Sequence, residues 1–476
     1  MPTSVPLPRS SPETRGLSSR AVLAWLDALA ADDLELHSFM LLRSGAVIAE
    51  GWWSPYRPDR VHRLHSLSKS FASTAIGLLV AEGRVSVDDP VVALFPEALP
   101  DVVGEHLAAM RVHDLLTMRT GHAEDVTGAL FDAPDGDWAR AFFAQPVQYP
   151  PGTHFAYNSA ATFMLAALVG RLTGETLLDF LRPRLLEPLG IGEAHWITNP
   201  QGINVGGWGL HLTTEGVARL GQLYLQGGRW EDRQVLPEAW IEAATRAQVP
   251  PGEDGASDWA QGYGYQFWRC RFDAYRADGA FGQFCVVMPR QRAVLAVTAN
   301  TPNMQRVLDH VWTHLLTGMH EEPLPDDPAA QEALRARCAS LTLALSELTD
   351  GWEGTPRDET YTFEANEEGL RWARLTAGPT SCRLTVADER GEHEIDFGLT
   401  DWHEGRTTLW PGGEEPVMAR AGGQRDGTLA LTMVLIEGGF GWEVVVDERA
   451  GTLAFQLAPA SFPDGKTLLA RRDHAG

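Results

Sequence analysis

The chain holds only two lysines, Lys69 and Lys466, against 37 arginines (39 basic residues less 2). Arginine stays protonated in a protein, whereas a buried lysine can lose its proton and act as a base. A lysine kept in a chain that otherwise uses arginine therefore marks a position where arginine cannot serve. Lys69 lies in Ser66-Leu67-Ser68-Lys69, which sets a serine hydroxyl one helical turn before the amine. That hydroxyl is a weak nucleophile until a base removes its proton, and a neutral Lys69 is placed to remove it. As a bare pattern Ser-x-x-Lys fits a helix cap as well as it fits catalysis. Lys466, in Gly465-Lys466-Thr467, has no motif around it, so rarity alone does not mark function.

Three further stretches carry candidate chemistry. In Pro151-Gly-Thr-His-Phe-Ala-Tyr157-Asn158-Ser159 a phenol precedes a helix. An ammonium nearby favours phenolate, so Tyr157 is expected to ionise readily and shuttle a proton to the leaving group. The plainer expectation is a packing tyrosine with Ser159 as the helix N-cap. Ala277-Asp278-Gly279-Ala280-Phe281-Gly282 precedes a strand, and its small residues allow close backbone approach. Amides there can complete an oxyanion hole with that of Ser66; a tight hairpin turn is the plainer reading. Gly206-Gly207-Trp208-Gly209 forms a glycine-rich loop that lacks the Gly-Lys-Ser/Thr of a phosphate loop, and Trp208 is its best candidate for substrate contact. His62 and His65 stand just before Ser66 without a third ligand, and there is no His-Glu-x-x-His, so neither metal nor other cofactor is expected. Nor is there a Gly-x-Ser-x-Gly elbow.

The elements that must hold these groups follow from periodicity. Residues 1–17, rich in Pro, Ser and charge, read as a flexible lead-in. Apolar positions at helical spacing begin at Val22, and residues 38–50 read as a β-hairpin turning at Ser44-Gly45. The spacing predicts a helix over 66–82, stopped by Gly83, with Ser66 and Lys69 on one face near its start. More helices are expected at 111–118, 160–172, 176–182, 214–226 and 307–316, and strands at 262–270, 271–277, 281–288 and 293–299. Pro323-Leu-Pro-Asp-Asp-Pro328 is the best domain break. The expected organisation is a catalytic domain over 18–322, a linker with a short helix (329–345) over 323–350, and an all-β domain, sandwich or barrel, over 351–476.

Composition bounds the rest. A formal charge of −24 repels nucleic acid and anionic membrane surfaces. No apolar run reaches the length of a membrane span, and the first residues have neither the basic nor the apolar region of a signal peptide. Four scattered cysteines fit buried thiols in a reducing compartment, so a cytoplasmic protein is expected.

In their order, these pieces resemble the serine β-lactamase-like superfamily: class C β-lactamases, penicillin-recognising enzymes, related esterases and 6-aminohexanoate-dimer hydrolases. Ser66-Leu-Ser-Lys69-Ser, Leu115-Leu-Thr-Met-Arg-Thr-Gly121, Pro151-Gly-Thr, Leu186-Glu-Pro-Leu-Gly-Ile and Gly206-Gly-Trp-Gly-Leu carry the resemblance over about residues 18–320. It implies an α/β (α+β) fold, an antiparallel sheet flanked by helices plus a helical lobe, and an acyl-serine mechanism. By that analogy Ser66 is the nucleophile, Lys69 and Tyr157 the proton-transfer pair, and the amides of Ser66 and Ala280 the oxyanion hole. Asn158, Ser159, Trp208, Asp278, Gly279 and Phe281 then line the substrate site. Two departures stand out. The usual Tyr-x-Asn reads Tyr157-Asn158-Ser159, so the substrate amide contact falls to Asn158 or is lost. The usual Lys-Thr-Gly reads Ala277-Asp278-Gly279, which removes the cation that holds a β-lactam carboxylate and adds a negative charge. Arg276 is near enough to compensate, unless strand alternation points it away. The expectation is a serine hydrolase acting on a small neutral or cationic ester or amide, with no nucleic-acid or membrane partner and an oligomeric state left open. The alternative is a weakly active or inactive penicillin-binding-like protein that only holds its ligand.

Overall fold

A computed structural model describes residues 5–343, 356–410, 413–457 and 466–473. The chain divides into two compact units, Met1–Gly51 with Arg63–Ser340, and Trp52–His62 with Leu341–Gly476.

The first unit is built on a six-stranded sheet. Its strands are β1 (Leu36–Arg43), β2 (Ala46–Trp52), β3 (Trp268–Arg269), β4 (Tyr275–Gly279), β5 (Gln283–Met288) and β6 (Ala293–Ala299), in the order β2-β1-β6-β5-β4-β3. The pairings from β1 to β3 are antiparallel. β1 is buried along its whole length because both faces are covered. Ser38 meets Thr214 at the start of helix α4 (Thr214–Leu225), while the next residue, Phe39, packs edge-on against Trp25 of helix α1 (Ser19–Ala31). Successive side chains of a strand point to opposite faces, so β1 needs apolar or paired residues at every position. Helices α2 (Ser68–Ala81) and α3 (Ser159–Thr173) pack together as the core of a helical lobe, and α2 also touches β4 of the sheet.

Several boundaries depart from the periodicity. The runs 262–270 and 271–277 form only the short β3 and then β4, because Gln266, Phe272 and Asp273 take positive φ and break the extended backbone. The expected helix over 307–316 begins earlier, as α5 (Met304–His310), and continues into a wider π-helical turn, Val311–Leu315. Residues before 18 are not a loose lead-in where described. Residues 8–10 bond along Val47 and cover the open edge of β2, and Arg9 reaches Glu50 (2.9 Å) and Glu215 (3.4 Å). Glu13, buried, accepts from the Ser19 amide at the head of α1. The proline- and acid-rich break at 323–328 is a helix start rather than a domain boundary. Asp327 caps α6 (Pro328–Ala339) by accepting from the Ala330 amide at 3.0 Å, with Pro328 in the first turn. α6 packs on α1, so the unit ends at Ser340; the expected extension of this helix to 345 falls partly outside the described residues.

The second unit is all β, ten antiparallel strands: β7 (Arg357–Phe363), β8 (Trp372–Ala377), β9 (Cys382–Asp388), β10 (Gly391–Phe397), β11 (His403–Thr407), β12 (Glu415–Gly423), β13 (Leu429–Leu435), β14 (Phe440–Asp447), β15 (Thr452–Leu457) and β16 (Thr467–Arg472). Neighbours in sequence pair, apart from β10 and β11; β16 returns to pair with β7, and Gly398 beyond β10 bridges to Arg420 of β12. The sheet thus curls into an up-and-down barrel, the arrangement that removes exposed edges. Alternate residues such as Leu375, Leu384, Ile395, Leu431, Val444 and Phe455 fill its interior. Residues 52–62 join this unit through an isolated bridge between Ser54 and Thr342 and by packing Tyr56 against Met418, Val434 and Ile436. No single helix in the described residues is long and apolar enough to cross a membrane.

Candidate active site

Ser66 sits in a 3-10 turn, His65–Leu67, that leads into α2. His65 holds φ near +47°, a conformation that is costly for a residue with a side chain and that persists only where surroundings enforce it. Two contacts enforce it here. The Ser68 hydroxyl donates to the His65 carbonyl at 2.6 Å and accepts from the Leu210 amide at 3.1 Å. On the other side β4 docks its last residue, Gly279, onto the turn: a Cβ there would stand 2.2 Å from the Leu64 carbonyl oxygen. Glycine is the residue that fits, and its place brings the exposed Ala280 that follows beside the Ser66 turn.

Lys69 is buried, with 1% of its surface exposed. Its Nζ donates to Ser66 Oγ (3.0 Å), Ser159 Oγ (3.0 Å) and the Gly207 carbonyl (2.7 Å). All three acceptors are neutral, so burial dominates and lowers its pKa to about 7, while the more distant Asp125 and Asp278 draw it upward. Gly207 reaches the amine because Gly206, at φ +65°, lies against α3, where a Cβ would meet Ala166 and the Thr162 carbonyl at 2.8 Å. Tyr157 lies with its ring under the same amine, 4.9 Å from centroid to Nζ, with Ser66 as a polar neighbour. Its pKa is well above the ordinary phenol value, because desolvation and the Asp278 charge outweigh the influence of Ser66 and Arg276. The expectation of a readily ionised phenol is thereby overturned: Lys69, the intended source of positive charge, is itself half neutral at pH 7, and Tyr157 remains a phenol.

The residues after Tyr157 exchange the roles their order suggests. Asn158, fully buried, is the N-cap of α3, its Oδ1 accepting from the Ala160 amide at 3.1 Å. Its amide nitrogen is buried with no hydrogen-bond partner among the described residues, and Ser159, not Asn158, reaches Lys69. Asp278 does not leave a bare negative charge: Arg276 holds it at 3.0 Å through Nε and 2.9 Å through Nη2, with the guanidinium lying 4.3 Å over Trp259. Two residues apart on one strand, they share a face. Desolvation still raises the Asp278 pKa above its ordinary value despite Arg276. Phe281, at φ +64°, turns the β4–β5 hairpin and packs edge-on to His65 at 5.4 Å. His65 stays neutral, its pKa lowered to about 3 by burial. Trp208 is half-buried and packs against Phe131 (5.7 Å) and Trp138 (6.1 Å).

Some residues of the site carried no signal in the sequence. Trp268 stacks on Tyr157 at 5.6 Å and is a polar neighbour of Asp278. Gln266, buried, bonds Thr162 of α3 and the carbonyls of Leu115 and Leu116, and its own carbonyl accepts from Ser70 of α2. Asp125 lies on an exposed loop and acts on the amine and the phenol through its charge.

Residues 32–317 match the family model described as Beta-lactamase. The chain belongs to the beta-lactamase family. This beta-lactamase-family chain is 28% identical over 310 residues to a protein of Paenarthrobacter ureafaciens named 6-aminohexanoate-dimer hydrolase, which spans 58% of this chain and 78% of that one. It is 28% identical over 159 residues to Esterase EstB of Burkholderia gladioli, 30% of this chain and 40% of that protein. Among solved structures, a putative 6-aminohexanoate-dimer hydrolase from Bacillus anthracis superposes with TM-score 0.55 at 21% identity, over 68% of this chain and 90% of that one. At that identity the likeness is one of fold. The chain is a serine hydrolase of this family, with esterases and amide hydrolases among its relatives.

Proposed function

We propose that the protein cleaves an ester or small amide bond through an acyl-Ser66 intermediate. The observation that carries this is the buried Lys69 amine, 3.0 Å from Ser66 Oγ and held only by neutral oxygens, an arrangement in which burial lowers its pKa to about 7. Neutral Lys69 takes the Ser66 proton as Oγ bonds to the carbonyl carbon. The amides of Ser66 and Ala280 receive the oxyanion, a role supported by the docking of Gly279 on the Ser66 turn. Tyr157, a phenol beside Ser66 and Lys69, passes its proton to the departing alcohol or amine and regains one from Lys69. Water then attacks the acyl group with the same residues reversing roles, releasing the acid and restoring Ser66. Gly279 and Phe281 shape the hairpin beside the nucleophile, and Trp208 forms an apolar wall. The Arg276–Asp278 pair, closed on itself, offers no free cation to a β-lactam carboxylate, which favours small esters and amides over penicillins.

A fluorophosphonate probe and short-chain p-nitrophenyl esters test this. Ser66→Ala is expected to abolish labelling and cut turnover by about 10⁴–10⁶; turnover that survives the substitution sinks the reading.

A further inference from the structure

The hairpin that carries Ala280 turns over residues 280–282, between Gly279 and Gln283, which face each other across β4 and β5. Phe281, at φ +64°, holds a conformation that is costly for a residue with a side chain, so the turn needs outside support. One tie runs from the Thr301 amide to the Phe281 carbonyl, at 3.0 Å. A second is the side chain of Gln283, which is fully buried. Its Nε2 donates to the Ala280 carbonyl at 2.9 Å and to the Ala299 carbonyl at 2.8 Å, and its Oε1 accepts from the Ala299 amide at 3.1 Å. Both amide hydrogens are thereby used, and an N–H facing the oxygen with two carbonyls facing the nitrogen fixes which way the carboxamide points. β6 runs on to Ala299 beyond its last backbone pairing with β5, Val297 opposite Phe284. Gln283 stands in there for the missing strand partner and, with its other hydrogen, grips Ala280. Ala280 is thus held from both sides, through Gly279 against the Leu64 carbonyl and at its own carbonyl by Gln283.

We propose that Gln283 is a positioning residue: by holding the Ala280 carbonyl to the end of β6, it sets the direction in which the Ala280 amide meets the oxyanion. This rests on the acyl-Ser66 reading with Ala280 as an oxyanion donor. Fully buried, Gln283 acts through Ala280 and not on the substrate. An oxyanion donor lowers the barrier only when it is oriented before charge develops, and a misplacement of about 1 Å costs on the order of 10²-fold in rate. Glutamine supplies two donors and one acceptor at this reach. Glutamate keeps the length; neutral, as burial favours, it donates one hydrogen and still accepts from Ala299. Methionine fills similar space and makes none of the three bonds.

The test uses full-length protein with p-nitrophenyl acetate and its thiono analogue, in which sulfur replaces the carbonyl oxygen. Sulfur is larger and a weaker hydrogen-bond acceptor, so well-placed oxyanion donors favour the oxygen ester. Wild-type protein is expected to prefer it by about 10²-fold in kcat/KM beyond the ratio for hydroxide in solution. Gln283→Met is expected to cut kcat for the oxygen ester by about 10²-fold with KM within about threefold, and to shrink the preference by about tenfold or more. Gln283→Glu should recover part of both; if the methionine variant does not fold, the glutamate variant alone must show a reduced preference. Val286→Ala, a truncation in the buried core of the same strand, is expected to lower the thermal midpoint and keep the preference. A preference that survives the Gln283 substitutions, that is absent from the wild-type protein, or that falls as far in Val286→Ala overturns the proposal; Gln283 then only joins the ends of β5 and β6. Turnover that survives Ser66→Ala overturns the acyl-serine reading instead.

Discussion

Lys69 donates to three neutral oxygens and to no carboxylate, and that sets the pH at which it can serve as a base. Below its pKa of about 7 the amine is charged and cannot accept the Ser66 proton; above it the neutral form dominates. The expected kcat/KM profile therefore falls on the acid side with a midpoint about pH 7, by about tenfold per pH unit below it. An acid limb centred near pH 4 would exclude Lys69 as the titrating base. Lys69→Arg keeps the charge and removes the base at every pH, so turnover is expected to drop by about 10²–10⁴. Ser159 supplies a second, subtler reading. Its hydroxyl accepts from the ammonium, and an acceptor favours the charged form; Ser159→Ala should therefore move the acid limb to lower pH. A limb that stays in place would remove Ser159 from the amine's surroundings. That Ser66, Lys69 and Tyr157 come together was legible in the sequence, because the proposed nucleophile, base and relay need particular residue types at fixed spacing. Asn158 and Ser159 were not, since one residue's uncertainty in where α3 begins exchanges cap and contact. Asp125 was illegible for a different reason: one exposed acid on a loop resembles any other until the fold gives it neighbours.

The elements matter through how closely they approach the Ser66 turn. Gly279 ends β4 against the Leu64 carbonyl, and any Cβ there must displace either the strand or the turn. Gly279→Ala is expected to cost about 1–3 kcal/mol of stability, the range for overpacking a close contact. It should also lower kcat about 10²-fold or more, because the strand carrying the Ala280 amide shifts from the Ser66 amide. Thermal unfolding and ester kinetics on one preparation check both, and near-wild-type kcat would argue against Ala280 as an oxyanion donor. Asn158→Ala is the contrasting case. Loss of the α3 cap is expected to cost about 1 kcal/mol while leaving the acid-limb midpoint where it was. The hairpin β1–β2 and the helix α2 were readable from periodicity, because each has one pattern from end to end. The stretch 262–277 was not: its aromatic residues favour strands locally, while Gln266, Phe272 and Asp273 adopt positive φ to turn the chain behind the site. Tertiary contacts such as those of Gln266 with Leu115, Leu116 and Thr162 make that turn worthwhile, and they are invisible one window at a time.

At the scale of the molecule, Ser66, Lys69, Tyr157, Gly207 and Gly279 all belong to the first unit, yet that unit is interrupted by residues 52–62, which fold with the barrel. Linear reading places a boundary where composition changes, so it found the proline-rich 323–328 and had no means of finding an excursion eleven residues long. The excursion gives truncation an asymmetric outcome. A protein ending at Ser340 keeps Ser66, Lys69 and Tyr157 but strips Trp52, Trp53 and Tyr56 of the Leu343, Met418, Val434 and Ile436 that cover them. Three such side chains present roughly 450–750 Å² of largely apolar surface, more than a soluble monomer usually leaves contiguous. The truncated chain is therefore expected to aggregate, as read by light scattering. The same truncation carrying Trp52→Ser, Trp53→Ser and Tyr56→Ser should remain monodisperse and take up a fluorophosphonate label at Ser66. A soluble, unsubstituted truncation would show that 52–62 has no need of its barrel partners. A monodisperse but unlabelled triple variant would mean instead that the first unit alone does not hold the Ser66 turn and Lys69 in register.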